Sequence, residues 1–482
     1  MSHLLSAAKP FTFLLFGASG HLAQIKLYPA LYVLALKKRL PKNYTVVGFA
    51  RTEMSDGAFR ELVEKSVRTS MPEVTEKALK DFLSHIHYHA GQYDDPEDFR
   101  KLRKKLAVIE KGWGKSVRLA YLSVPPAVFP PIAKNLCKSG IHRAGEFRCI
   151  VEKPVGHDLQ TADETWKTFI GCFAEEEIYL LDHYLGKEAV RNIYYLRSAN
   201  PVLERLFKNT LIHHVEVTCA EHAGIEGRAG YFEHTGTLRD YVQSHALEMI
   251  ALLTMRLGET DNSIKHNRLD ALEQLYLPPA ATIDDLVIQG QYSKGKDRSA
   301  KAYRDEVGVT KNSRTNTFIA MKLMSRTSRW EGVPFYLRCG KGLQKKETRI
   351  SVQFQTPSRM GEGATSNRLD VILQGEAGMR FHLQTKLGGS TPAFRPLVLE
   401  DPLVCYGDCL PEHGLLLLEA IYGNRLLFLD FAEVRSAWKL LDPVQAYLDK
   451  PKTPLHFYPL GSTGPKEAEV WMGRNGVQWM NL

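Results

Sequence analysis

The 482-residue chain contains no apolar run approaching the roughly 18–20 residues that a membrane-spanning helix needs, so no span is expected. Cysteine is sparse: the seven, at 137, 149, 172, 219, 339, 405 and 409, are odd in number and include no CxxC pair. Cys405 and Cys409 stand four apart, but no neighbouring His or Cys pair completes a zinc set. Reduced structural thiols are therefore expected, and no metal site is. Charge of one sign is nowhere concentrated; 63 basic and 54 acidic residues leave a net charge of +9 spread along the chain. That balance favours anionic partners. However, no nucleic-acid module and no interleaved aromatic and basic array is present, and a phosphorylated small molecule fits equally well. Internal repeats and low-complexity linkers are absent too. The opening MSHLLSAAKP is too short and too weakly apolar for a secretory leader, and the closing WMNL matches no retention or peroxisomal address. The expected compartment is the cytoplasm.

What is present is a globular composition, 44% hydrophobic with 10% aromatics, on a length that implies roughly two to three domains. Up to about residue 185, apolar runs at Phe11–Phe16, Tyr44–Ala50, Val117–Val124, Cys149–Val151 and Ile178–Leu181 alternate with helical patterns such as Tyr28–Lys38 and Ala58–Thr69. That texture predicts a parallel, doubly wound sheet over residues 1–185. Beyond it, helices are expected over Lys187–Ser198 and Leu238–Leu257. Strands without intervening helices follow at Thr317–Met324, Pro334–Cys339, Thr348–Phe354, Leu369–Leu373 and Met379–Thr385. This second region, 186–482, is expected to be a β+α domain with a broad antiparallel sheet.

Two stretches carry chemistry. FTFLLFGASGHLAQIKLYPALY runs an apolar strand into a turn with Gly17, Gly20 and Ala23 at GxxGxxA spacing, then into a helix pattern. Glycines there let the backbone approach a pyrophosphate at a helix N-terminus. The next strand, YTVVGFART, ends in Arg51 and Thr52 rather than in the acidic residue that would hold a ribose 2′-hydroxyl, so a 2′-phosphate and hence NADP is favoured. The second stretch, IYLLDHYLGKEAV, is a buried-strand pattern that stops in Asp182, His183, Tyr184 and Lys187. Such residues are poor core material and suit the floor of a binding site at a strand's carboxyl end.

GASGHLA (17–23), VEKPVGHDL (151–159), DHYLGKE (182–188), GRAGYFEHTGTLRDYVQSH (227–245), RWEGVPFYLRCGK (329–341) and GSTGPKEAE (461–469) resemble, in order and over nearly the whole chain, the glucose-6-phosphate dehydrogenase family. The resemblance implies an NADP-binding Rossmann-type domain followed by a larger β+α domain, through whose sheet members associate as homodimers or homotetramers. It implies oxidation of glucose 6-phosphate at C1 to the 1,5-lactone with hydride transfer to NADP, the opening step of the oxidative pentose phosphate pathway. By the same resemblance His245 is the base and Asp182 the carboxylate that orients it. His183, Tyr184 and Lys187 hold the sugar phosphate, while Lys153, Glu221, Asp240 and Lys341 contact the sugar, and Lys346 lies near the phosphate end. Gly17, Ala18, Ser19, Gly20, His21, Leu22, Arg51, Thr52 and Lys153 face the cofactor, with Lys26 in the family's basic run. Val124–Pro126 either passes the nicotinamide or simply shapes a turn.

The chain departs from the family pattern at His21, which replaces an acid, at Gln24 and Ile25, where basic residues are common, and at Ala220, which precedes Glu221 in place of a lysine. Glu347 and Ile372 fall where animal members hold a second, structural NADP with basic residues, so a second NADP is not expected. Other readings are a dehydrogenase of unphosphorylated glucose or of another hexose 6-phosphate, a non-catalytic regulatory relative, and a nucleic-acid binder that rests on pI alone. The His183–Tyr184–Lys187 set argues against an unphosphorylated sugar, and the presence of both Asp182 and His245 argues against a catalytically dead relative.

Overall fold

The structure, a computed structural model, describes residues 9–295, 301–357, 364–390 and 393–481. The leader reading of residues 1–8 and the final residue of the closing WMNL lie outside them. The chain divides into two compact units. The first ends at Lys187 and also takes in Tyr406–Phe431; the second holds Glu188–Cys405 and the residues from Ala432 onward.

The first unit is built on a six-stranded sheet of β1 (Phe11–Phe16), β2 (Tyr44–Ala50), β3 (Ile86–Ala90), β4 (Val117–Leu122), β5 (Glu146–Glu152) and β6 (Ile178–Leu181), in the order β3-β2-β1-β4-β5-β6. Every pairing is parallel. Strands covered on both faces read as continuous apolar runs, and β1, β2, β4 and β6 are buried at every position. The order reverses between β1 and β4, the crevice where such sheets bind ligands. Three of the helices between strands start on polar caps: Ser55 accepts from the Ala58 amide at 3.2 Å, Asp95 from the Glu97 amide at 2.8 Å, and Asp158 from the Thr161 amide at 2.8 Å. One late segment belongs here, which no sequence signal marked. Helix Glu412–Tyr422 buries Leu416, Leu417 and Ile421 in the same core as Phe13, Tyr28 and Leu31, and the Leu429 amide bonds the Leu180 carbonyl at 2.9 Å along the edge of β6.

The second unit holds β7 (Ile212–Ala220), β8 (Leu275–Tyr276), β9 (Val287–Ser293), β10 (Phe318–Ser325), β11 (Phe335–Gly340), β12 (Glu347–Phe354), β13 (Arg368–Gln374), β14 (Gly378–Lys386), β15 (Phe394–Pro402) and β16 (His456–Pro459). They form one broad sheet, β15-β14-β13-β12-β7-β11-β10-β9-β16, with β8 beside β10. Most pairings are antiparallel as expected, but β7–β11 and β9–β16 are parallel. One face is sealed by aromatics around Tyr336, whose ring lies edge-on to Trp471 at 5.8 Å, with Trp479 stacked behind it at 6.2 Å. The expected helix over Leu238–Leu257 is not uniform. Leu238–Ala246 is π-helical, and an α-helix takes over at Leu247–Thr254.

The expectation of reduced thiols fails for one pair. Cys405 and Cys409 are disulfide-bonded, whereas Cys137, Cys149, Cys172, Cys219 and Cys339 are free. Gly407, at φ 88°, turns the loop back on itself between them. Short sequence spacing had counted only against a metal, not for a bridge.

Candidate active site

In the first unit, Gly17 ends β1 at φ 84°, and a Cβ built on it would lie 2.1 Å from the Ser123 carbonyl oxygen. No side chain fits that corner, so the backbone is bare where the chain turns; the Gly17 amide bonds the Phe49 carbonyl at 3.0 Å and the Gly20 amide bonds the Gly17 carbonyl at 2.8 Å. Ala18 is buried, its carbonyl accepting from the Tyr28 hydroxyl at 2.5 Å, while Ser19 and Leu22 are half-buried and His21 is exposed. A π-helical turn, Ala23–Leu27, carries the chain into the helix Tyr28–Leu36. Arg51 and Thr52 are exposed just past β2, with the Arg51 guanidinium 6.0 Å from the Tyr93 ring. These residues fit a dinucleotide: a glycine cradle at the sheet's switch point and a free-standing guanidinium one strand away. Lys26, by contrast, pairs with Glu412 at 3.3 Å. Pro126–Val128 is a single 3-10 turn leading into the helix Phe129–Ser139, so those prolines do shape a turn.

Two adjacent strand ends supply the rest of this half. Glu152 closes β5 in register with Leu181 of β6, so Lys153 and Asp182 follow on neighbouring strands. The Tyr121 hydroxyl donates to Glu152 at 2.5 Å. Burial, reinforced by the nearby Asp182 charge, pushes the Glu152 carboxyl up to about 7 against the opposing pull of Tyr121 and Lys153. Asp182 is fully buried and accepts the Tyr184 amide at 2.9 Å, which caps the turn His183–Gly186. On that turn the His183 and Tyr184 rings meet at 5.1 Å, and the Lys187 ammonium sits 3.4 Å from the centre of the Tyr184 ring. Two cation-capable side chains and a phenol thus share one short turn.

The second unit gathers a different set around Lys341, which is only 2% exposed. Its ammonium donates to Glu221 at 2.6 Å and to the Tyr241 hydroxyl at 3.3 Å, lies 3.7 Å from Asp240, and is boxed by the Phe232 and Tyr241 rings at 5.2 and 4.9 Å. A buried ammonium needs such partners. Burial alone would raise the Glu221 carboxyl, but the Lys341 charge and hydrogen bond hold it below the usual range. Asp240 also accepts from the Tyr231 hydroxyl at 3.3 Å. His245 is 3% exposed on the same π-helical segment, its ring 6.0 Å from Tyr241. With i→i+5 spacing, Asp240 and His245 stand one turn apart, which an α-helix would not give. Lys346 does not join this cluster; it is exposed before β12, and among the described residues it makes no ion pair or side-chain hydrogen bond. Tyr241 and Phe232, which box Lys341, were not expected, although both lie inside a quoted motif. Tyr121 was missed because it meets Glu152 only through the pairing of β4 with β5.

Residues 14–192 match the NAD binding domain of glucose-6-phosphate dehydrogenase and residues 194–480 match its C-terminal domain. The glucose-6-phosphate 1-dehydrogenases of Chlamydia pneumoniae and of Bacillus subtilis (strain 168) are each 34% identical to this chain, over 98% and 97% of it and 96% and 98% of the relatives. A solved glucose-6-phosphate dehydrogenase in complex with its substrate glucose-6-phosphate superposes with a TM-score of 0.90 at 30% identity, covering 98% of this chain and 99% of the other. With both domains matched and the relatives aligned nearly end to end, the chain belongs to the glucose-6-phosphate dehydrogenase family.

Proposed function

We propose that the chain oxidises β-D-glucose 6-phosphate at C1 to 6-phospho-D-glucono-1,5-lactone, with NADP as the hydride acceptor. The observation that carries this reading is the turn His183–Gly186 with Lys187. It presents donors suited to a phosphate dianion on the same parallel sheet whose first strand ends in the glycine cradle. NADP, when bound, supplies the nicotinamide carbon that takes the hydride. Gly17, Ala18, Ser19, Gly20, His21 and Leu22 would line its pyrophosphate, Arg51 and Thr52 its 2′-phosphate, and Lys153 would lie between cofactor and sugar. His245 takes the proton of the C1 hydroxyl, with Asp182 as the carboxylate that orients and stabilises the imidazolium. Glu221, Asp240 and Lys341 offer acceptors and a donor to the sugar hydroxyls, and Lys346 is the outlying candidate.

Initial rates at 340 nm with glucose 6-phosphate or glucose, and NADP⁺ or NAD⁺, test the reading. We expect turnover with the phosphorylated sugar, a preference for NADP⁺ that falls in Arg51→Ala, and little rate with glucose. Absence of turnover by folded protein with glucose 6-phosphate would overturn it. Association as a dimer or tetramer is proposed through the second unit's sheet, whose strand β15 exposes Leu397, Val398 and Leu399. We also place the protein in the cytoplasm, which cell fractionation checks.

A further inference from the structure

Helix Glu412–Tyr422 packs on the turn His183–Gly186 and sets the ring of His413 against that of His183, with centroids 6.0 Å apart and planes 14° from parallel. His413 is 5% exposed. Among the described residues its buried Nδ1 has no hydrogen-bond partner, and a Glu412 carboxylate oxygen lies 3.8 Å away. Glu412 is itself engaged by Lys26 at 3.3 Å. An imidazole with an unpartnered buried nitrogen is unusual core filling. Its face, not its nitrogens, is what meets the neighbouring ring.

We infer that His413 is a positioning residue for the sugar-phosphate site, its stacked ring favouring the protonated form of His183 that a phosphate dianion needs. The inference rests on the reading that His183 holds the 6-phosphate. Burial drives the His413 imidazole down to about 4, outweighing the Glu412 charge, so that it carries no competing charge at neutral pH. An uncharged aromatic face parallel to an imidazolium attracts it, and the same ring shields it from water on that side. Among the described residues, the other charged or titratable groups on the packed elements of this unit are Glu412, Glu419 and Tyr422 of the same helix, Lys26, and Asp182, Tyr184 and Lys187 beside His183. The helix Tyr28–Leu36 brings only Tyr28 and Tyr32, and β4 brings Tyr121 and Arg118, which are committed to Glu152 and Glu110.

Steady-state kinetics from pH 6 to 9 on wild type, His413→Leu, His413→Phe and His183→Gln test this. In His413→Leu the KM for glucose 6-phosphate should rise roughly two- to fivefold near neutral pH with kcat held. The pH at which KM begins to climb should move down, and His413→Phe should restore both. A His413→Leu profile that superimposes on wild type, while His183→Gln raises KM, overturns the stacking role alone. An unchanged KM in His183→Gln overturns the phosphate reading beneath it. Should His413→Leu not fold, imidazole NMR titration of the wild type decides the matter. His413 should stay neutral to below pH 5 while His183 titrates, and a His413 that titrates near 6.5 contradicts the account.

Discussion

A single side chain can be legible in type and illegible in environment. Asp182, His183, Tyr184 and Lys187 were readable because they share six residues of sequence, and the turn that holds them is local. Glu152 was passed over beside Lys153, because what distinguishes it comes from Tyr121 one strand away and from Asp182 on the other side. Its raised value has a consequence for stability. In the unfolded chain the carboxyl ionises near 4.5 and in the folded chain near 7, so the folded state binds the proton more tightly between those values. Stability from this group is therefore full below about 4.5, falls as pH rises to about 7, and stays lost above it. Glu152→Gln keeps an acceptor for Tyr121 and removes the titration. Its thermal midpoint should exceed the wild type's at pH 8, by on the order of 2–3 kcal/mol of stability, and approach it near pH 4.5. Parallel pH profiles for the two proteins would contradict this.

At the level of elements, the apolar strands of the first unit came through in the sequence because burial on both faces leaves a continuous signal. Strand β3, reading IHYHA, did not, since its histidines interrupt the run. The segment Leu238–Ala246 was legible as a helix but not as a π-helix. Its entry is fixed from elsewhere in the chain: Gly236 turns the backbone at φ 64°, and the Asn316 side-chain oxygen accepts the Thr237 amide at 2.9 Å and the Leu238 amide at 3.3 Å. No local pattern could announce a cap that lies 79 residues away. Asn316→Ala would leave the buried Leu238 amide short of an acceptor, at about 1–3 kcal/mol, while the Thr237 amide keeps the residue-316 backbone carbonyl at 3.0 Å. We expect a lower thermal midpoint together with a reduced kcat, because Asp240 and His245 ride on that segment. A destabilised protein with unchanged kcat would separate the cap from the catalytic geometry.

For the whole molecule, the sequence texture changes from alternating to strand-rich near residue 185, and the first continuous stretch of the first unit runs to Lys187. The return of Tyr406–Phe431 to the first unit was invisible, because tertiary packing rather than sequence order assigns it. The mixed pairing of the large sheet was equally hidden, since β7 and β11 are far apart in sequence and pair in parallel. If that sheet is the oligomer interface, Leu397→Lys with Leu399→Lys should shift the protein towards monomer in light scattering after gel filtration; an unchanged mass would move the interface elsewhere.

The central claim is that His245 is the base for oxidation at C1. Comparing His245→Asn with wild type in kcat at 340 nm, with binding of glucose 6-phosphate and NADP⁺ measured separately by calorimetry, tests it most directly. The account predicts a fall in kcat of roughly 10²-fold or more with both ligands still bound. A variant that keeps its kcat, or that loses rate only because it no longer binds the sugar phosphate, would contradict it.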